Sequence, residues 1–176
     1  ISFLHEATHL TAHGGFLLMG GAAAADLAAG APSGLQDGGF VKPGAPDWNT
    51  QGEVSLTGGG AILREDLGLL FTDLSQVFLI PRGALSLRFT VSGIVLGGGG
   101  SLPPDAFEVA LLDAVSFEPL LGRITGLDDT DALFNVQPDG STFAASSVSF
   151  TGSLAAGSFE VSIDLRGLAQ GRASLL

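Results

Sequence analysis

The sequence predicts an all-β fold of antiparallel sheets. From about residue 40 onward, apolar and polar residues alternate with a period of two, the spacing of a strand with one buried face. Clusters of Gly, Pro and Asp separate these runs, as turns do. Helical periodicity is nearly absent, with exceptions only at Ala22–Ala29 and Phe3–Ala12. The 176 residues, of which 45% are hydrophobic, suffice for one domain with a sizeable core.

The alternating runs define the predicted strands in chain order. They cover residues 54–57, 61–64, 74–80, 85–92, 107–111, 133–136, 148–151 and 159–166. The run Leu74–Ile80 is apolar in both phases, which indicates a central strand. Ala173–Leu176 predicts the start of a strand that stops early, and we expect it to leave an exposed edge. Eight to ten short strands separated by turns are typical of a jelly-roll sandwich.

Residues 1–39 do not share this pattern. We expect an irregular, partly helical N-terminal extension there, followed by a jelly-roll domain over residues 40–176. Gly14–Ala31 is the most apolar stretch. It is either a targeting or membrane segment, a packed N-terminal segment, or an extension that docks into a neighbouring copy through Phe16, Leu17, Leu18 and Met19. No Lys or Arg precedes it and Asp26 interrupts it, which disfavours the first interpretation.

Charge and composition exclude several classes of function. The chain has 7 Lys and Arg against 18 Asp and Glu, a formal net charge of −11, which disfavours nucleic acid and anionic membranes as partners. The absence of Cys excludes a disulfide scaffold, a thiol nucleophile and a thiolate metal site. Nucleophile-elbow, phosphate-loop and dinucleotide motifs are absent. We therefore expect a protein that is not an enzyme.

His5-Glu6-Ala7-Thr8-His9 matches the H-E-x-x-H pattern of zinc proteases. That chemistry needs a helix carrying both His residues and a third ligand, and the only further His is His13. A metalloprotease fragment is therefore the least favoured interpretation. The alternatives are a metal site on His5, His9 and His13, whose spacing roughly shares a helical face, and ordinary polar residues near a terminus.

The densest acidic segment offers oxygen ligands of the kind that calcium prefers. The candidate ligands are Asp128, Asp129, Asp131, Asn135 and Asp139, with Asp105 as a further member. The spacing does not match an EF-hand loop. A calcium site and a solvated acidic turn are both consistent with this pattern.

Trp48 is the only Trp, and the chain has no Tyr. Carbohydrate-binding faces usually stack sugar rings on exposed Trp or Tyr, so such a face is poorly supplied here. The Phe residues fall mostly on the apolar phase of the strands, which predicts that they are core. Trp48 is therefore either a cap on the core or, in the alternative, a ligand-stacking residue.

The chain from Trp48 to Leu176 resembles a jelly-roll module of large secreted or surface bacterial adhesins and matrix proteins, similar to lectins and carbohydrate-binding modules. The resemblance rests on the segments Gly52–Leu56, Leu74–Phe78, Leu85–Phe89, Pro104–Asp113 and Thr130–Gly140. It implies an extracellular or cell-surface location, stabilisation by calcium, and a binding or structural role. It does not extend to residues 1–40.

Together these features predict a non-enzymatic extracellular structural protein. We expect a self-assembling subunit of a surface filament or matrix, stabilised by calcium and by docking of the N-terminal extension on neighbouring copies. The alternative is a carbohydrate-binding or adhesive module of a larger surface protein, with polysaccharide as its partner.

Overall fold

The computed structural model describes residues 2–6, 34–44, 46–57, 59–64, 71–80, 86–92, 106–127, 131–153, 158–165 and 173–175. All regular structure in these ranges is β. The strands are β1 (Ser2–Glu6), β2 (Asn49–Gln51), β3 (Glu53–Thr57), β4 (Gly60–Arg64), β5 (Phe71–Ser75), β6 (Val77–Leu79), β7 (Ser86–Ser92), β8 (Ala106–Ala110), β9 (Leu112–Asp113), β10 (Ala132–Val136), β11 (Thr142–Ala144), β12 (Val148–Ser153), β13 (Ser158–Asp164) and β14 (Ala173–Leu175).

The described strands pair antiparallel throughout. Six of them form the largest sheet, in the order β11-β10-β8-β1-β5-β2. Two three-stranded sheets have the orders β12-β13-β7 and β6-β14-β9, and β3 pairs with β4 in a hairpin. β5 leads into β6 through Gln76, and β8 leads into β9 through Leu111, so both strands pass from the six-stranded sheet to the β6-β14-β9 sheet.

The main core joins the six-stranded sheet to the β12-β13-β7 sheet. Its centre is a trio of Phe rings, with Phe134 on β10, Phe150 on β12 and Phe159 on β13. The ring centroids lie 5.1 to 6.2 Å apart in edge-to-face arrangements, the geometry that aromatic quadrupoles favour. Around the trio pack buried aliphatic side chains from both sheets: Leu87, Val109, Val136, Val161 and Ile163. The described part of the chain is therefore an all-β, sandwich-like structure.

The sequence-predicted strands are confirmed at all eight places, including the alternating strands β7 and β13. The predicted strand over 74–80 is interrupted at Gln76, and β1, β2 and β11 had no counterpart in the sequence prediction. The expected edge at Ala173–Leu176 is wrong for its described residues, because β14 pairs with β6 on one side and β9 on the other.

The N-terminal residues also differ from expectation. Ser2–Glu6 is a strand inside the six-stranded sheet, so the helix predicted over Phe3–Ala12 is wrong from residue 3 to residue 6. These residues of the predicted extension 1–39 therefore pair with the predicted domain 40–176. The helix expected at Ala22–Ala29 lies outside the described residues.

Gln76 lies at the junction of β5 and β6, and its side chain holds the segments around Gln36 and Asp47 by hydrogen bonds. Its side chain is 2% exposed. The amide oxygen accepts a hydrogen bond from the Gln36 backbone N at 2.7 Å, and Nε2 donates to the carbonyl oxygens of Gln36 (3.0 Å) and Asp47 (2.9 Å). The buried amide thus satisfies backbone groups of a loop that runs alongside the strands, as a buried polar side chain must.

The Phe trio generates a stability prediction. Phe134 is fully buried, so Phe134→Ala loses its apolar contacts and leaves a cavity, with an expected loss of about 3–5 kcal/mol in the free energy of unfolding. The matched control is Val115→Ala, whose side chain is 49% exposed in a turn and whose truncation should change stability by less than about 0.5 kcal/mol. Denaturant titration followed by Trp48 fluorescence measures both. Equal losses in the two variants would contradict the assigned core.

Candidate functional site

The feature that most sets this sheet apart is the slot between β5 and β8, which β1 fills. β1 pairs antiparallel with both neighbours, so its residues have partners on two sides. Phe3 lies opposite Leu74 and Val109, and His5 lies opposite Thr72 and Phe107. A strand that is distant in sequence from both neighbours therefore lies at the centre of the largest sheet.

The two walls of the slot are buried. On β5, Thr72 and Leu74 are 0% and 1% exposed, and on β8, Val109 and Ala110 are 0% and 2% exposed. Buried backbone N–H and C=O groups require hydrogen-bond partners, because water does not reach them. Among the described strands, β1 alone provides these partners along the facing edges of β5 and β8.

A buried polar pair lies on the face of the sheet opposite to the one that carries Phe134. Asn135 of β10 is directly opposite Glu108 of β8 in the register. Asn135 Nδ2 donates to Glu108 Oε1 at 2.6 Å, and Gln137 Nε2 donates to Asn135 Oδ1 at 2.7 Å. Both the nitrogen and the oxygen of the Asn135 amide are thus hydrogen-bonded within the protein. Asn135 links two strands here, a role that the sequence interpretation as a calcium ligand did not include.

Asp139 organises the turn between β10 and β11. Its carboxylate accepts hydrogen bonds from the backbone N of Ser141 at 2.8 Å and from the Ser141 hydroxyl. Gly140, with φ of 85°, provides the left-handed backbone conformation that the turn needs. The hydrogen bonds from Ser141 lower the pKa of Asp139 below its usual 3.8, since they stabilise the charged form.

The two described aspartates of the predicted calcium site flank β10. Asp131 precedes β10 and Asp139 follows it, and a five-residue strand spans about 13 Å. Since calcium binds oxygens at about 2.3–2.6 Å, this separation does not suit one ion held by both carboxylates, and the calcium site stays a prediction. Asp105, Asp128 and Asp129 lie outside the described residues. Within the described ranges no three His, Asp or Glu side chains form a group able to hold a metal ion.

Trp48 is a core residue in this structure. Its side chain is 9% exposed, and its ring lies 5.0 Å from that of Phe40, measured between centroids. The indole Nε1 donates to the Asp37 carbonyl oxygen at 3.1 Å. Around it pack Leu74 and half-buried residues of the β3–β4 hairpin, Val54, Leu56, Ala61 and Leu63. The indole therefore offers no exposed stacking platform for a sugar ring.

The remaining predicted site residues lie mostly outside the described ranges. His5 and Glu6 belong to β1, so their backbone is extended and the helical H-E-x-x-H arrangement is not formed at these two residues. His9 and His13 are outside the described residues, as are Phe16, Leu17, Leu18 and Met19.

Comparison of the chain with protein-family models, with curated proteins and with solved structures found no match. Across the part of the chain that the structure describes, no helix has the length and apolar character needed to cross a membrane.

The Asp139 turn generates a prediction for pH dependence. Because the folded-state pKa of Asp139 is lowered, its contribution to stability is present above the unfolded-state pKa and is lost as the pH falls through the folded value, below 3.8. Wild type should therefore melt at a higher temperature than Asp139→Ala at about pH 6, and this margin should shrink on acidification. Thermal midpoints measured between about pH 2 and about pH 6 test this.

Asp139→Asn is the matched control for that experiment, since it keeps an acceptor oxygen and does not titrate. Its margin over Asp139→Ala should be independent of pH. A wild-type margin that stays constant through the acidic range would contradict the assigned role of the carboxylate.

Proposed function

We propose that the protein is a non-enzymatic structural module of the cell surface or extracellular space, which assembles with copies of itself by exchanging β1. The observation that carries the proposal is the position of β1: a short strand, separated by residues 7–33 from the next described segment, completes the middle of the largest sheet. The pairs that β1 makes with β5 and β8 would be the same whether the strand came from its own chain or from a neighbour.

The chain length between β1 and the next described residue supports this proposal. Residues 7–33 separate Glu6 from Gly34, and at full extension they reach roughly 90 Å. That length is sufficient for β1 to enter the slot of its own copy or of an adjacent one. Exchange keeps the strand pairings of β1 unchanged, and protein concentration influences which of the two arrangements forms.

The expected docking segment Phe16–Met19 belongs to the same connection between β1 and the sandwich. We propose that this segment adds apolar contacts between neighbouring copies when β1 lies in the slot of the adjacent copy. We also propose the jelly-roll topology, which the antiparallel sheets and the shared core support.

Calcium remains part of the proposal through Asp105, Asp128, Asp129 and Asp131. Asn135 and Asp139 have other uses, as a link between strands and as the acceptor in a turn. Calcium binds carboxylate oxygens, the kind of ligand that these aspartates provide. The alternative of a carbohydrate-binding module lacks support at Trp48, because that ring is buried.

A competing peptide tests the exchange without altering the protein. We expect the full chain to form assemblies whose mass rises with concentration, as measured by light scattering after size-exclusion chromatography. A synthetic peptide with the sequence of residues 1–6, added in excess, should fill the slots and shift the mass toward the monomer. A control peptide with Leu4→Pro lacks a backbone N–H and should have no effect.

Two results would contradict the proposal. The first is a chain that stays monomeric at all concentrations, which would mean that β1 fills only its own slot. The second is an assembly whose mass neither peptide changes.

A further inference from the structure

β14 and β1 follow one another end to end between the same two neighbouring segments of the chain. β14 pairs antiparallel with β6 and β9, and β1 pairs antiparallel with β5 and β8, which lead into β6 and β9 respectively. Both strands therefore run in the same direction between the same two walls. The last residue of β14 faces the first residue of β1.

The register fixes the spacing between the two strands. Leu175 lies opposite Leu112 on one wall, and Ser2 lies opposite Ala110, so a single position of that wall, Leu111, separates them. On the other wall Leu175 lies opposite Val77, while Phe3 lies opposite Leu74.

Ser2 precedes Phe3 and therefore falls opposite Ser75. A single position, Gln76, then separates Ser2 from Leu175 along this second wall. The registers on both walls thus place Ser2 where the second residue after Leu175 would lie. A strand that continued β14 by six residues would overlay Ser2–Glu6 in register.

The residues that flank the junction are suited to a continuous strand. Leu111 is 1% exposed and Gln76 is 2% exposed, so the walls stay buried across the point where β14 ends and β1 begins. The Gln76 side chain is hydrogen-bonded to the backbone at Gln36 and Asp47, and these bonds fix its position. Each wall is interrupted there at a single residue, Gln76 or Leu111, and the antiparallel register is the same on both sides of the interruption.

We infer that β1 and β14 fill the two halves of one strand-acceptor slot, and that the strand of a second copy enters it head-to-tail against β14. This inference rests on the proposed exchange for its occupant, but the slot itself is defined by the registers. The incoming Ser2–Glu6 would run antiparallel to both walls, with Phe3 between Leu74 and Val109. Such an interface uses different surfaces on the two partners, so repetition gives a ring or an open filament.

A graft after Leu176 tests the slot. Appending Ser-Phe-Leu-His-Glu directly after Leu176 in the full chain places the added Ser opposite Ala110, the position of Ser2. The appended strand is tethered to β14 with no linker, so its effective concentration at the slot exceeds that of the native β1. We expect it to displace β1.

The matched control inserts one Gly between Leu176 and the same five residues. That insertion moves the register by one and exchanges the faces to which the side chains point, so the graft should not compete. Hydrogen exchange of residues 2–6, measured by mass spectrometry, is the readout. We expect protection of these amides to be lost with the in-register graft and retained in wild type and in the shifted control.

The outcomes separate the slot from the exchange. Loss of protection with the in-register graft alone, together with loss of assembly, supports both. Loss of protection in a chain whose wild type never assembles supports the slot and overturns its occupant, the strand of a second copy. Retained protection with both grafts, or equal loss with both, overturns the inference of a continuous slot.

Discussion

The backbone groups that face each other across the β5–β8 slot impose the constraint on which the six-stranded sheet depends. Those strands are almost completely buried, so each unpaired N–H or C=O along them would cost about 1–3 kcal/mol. β1 removes that cost on both sides at once. It also joins β5 and β2 to β8, β10 and β11, which have no other pairing across the described sheet.

Hydrophobic packing positions both walls of the slot. Val109 of β8 and Phe134 of β10 belong to the main cluster with Phe159 of the opposing sheet, while Leu74 of β5 packs with Trp48. The two walls are thus anchored by separate hydrophobic clusters. A third strand between them must match both registers, which favours one strand with one polarity.

The parts of the fold that follow from local pattern were predictable from the sequence. β7 and β13 alternate cleanly over seven residues each, and this period marks a half-wetted strand without any knowledge of its partner. β1 carries no such signal. Its last two residues, His5 and Glu6, begin a pattern that is typical of a zinc-binding helix, and pairing with distant strands makes β1 extended.

The site residues show the same division between local and distant causes. Asn135 stands among acidic residues in the sequence, which suggested calcium, yet its partner Glu108 comes from a strand that only the fold brings beside it. Asp139 bonds its own turn, and a short polar side chain before Gly is a local signal of that use. Of the two interpretations of Trp48, its burial against Phe40 and Leu74 favours the cap on the core.

Disulfide trapping distinguishes whose strand fills the slot. Ser2 and Ala110 are directly opposite in the register, at a separation that a disulfide can bridge, and the native chain has no Cys. Ser2→Cys and Ala110→Cys would be prepared as separate proteins, mixed at a concentration where the chain assembles, and oxidised. We expect a covalent pair that contains one copy of each variant. If the mixture gives no such pair while the double variant closes its disulfide within one chain, β1 belongs to its own copy and the proposed exchange is wrong.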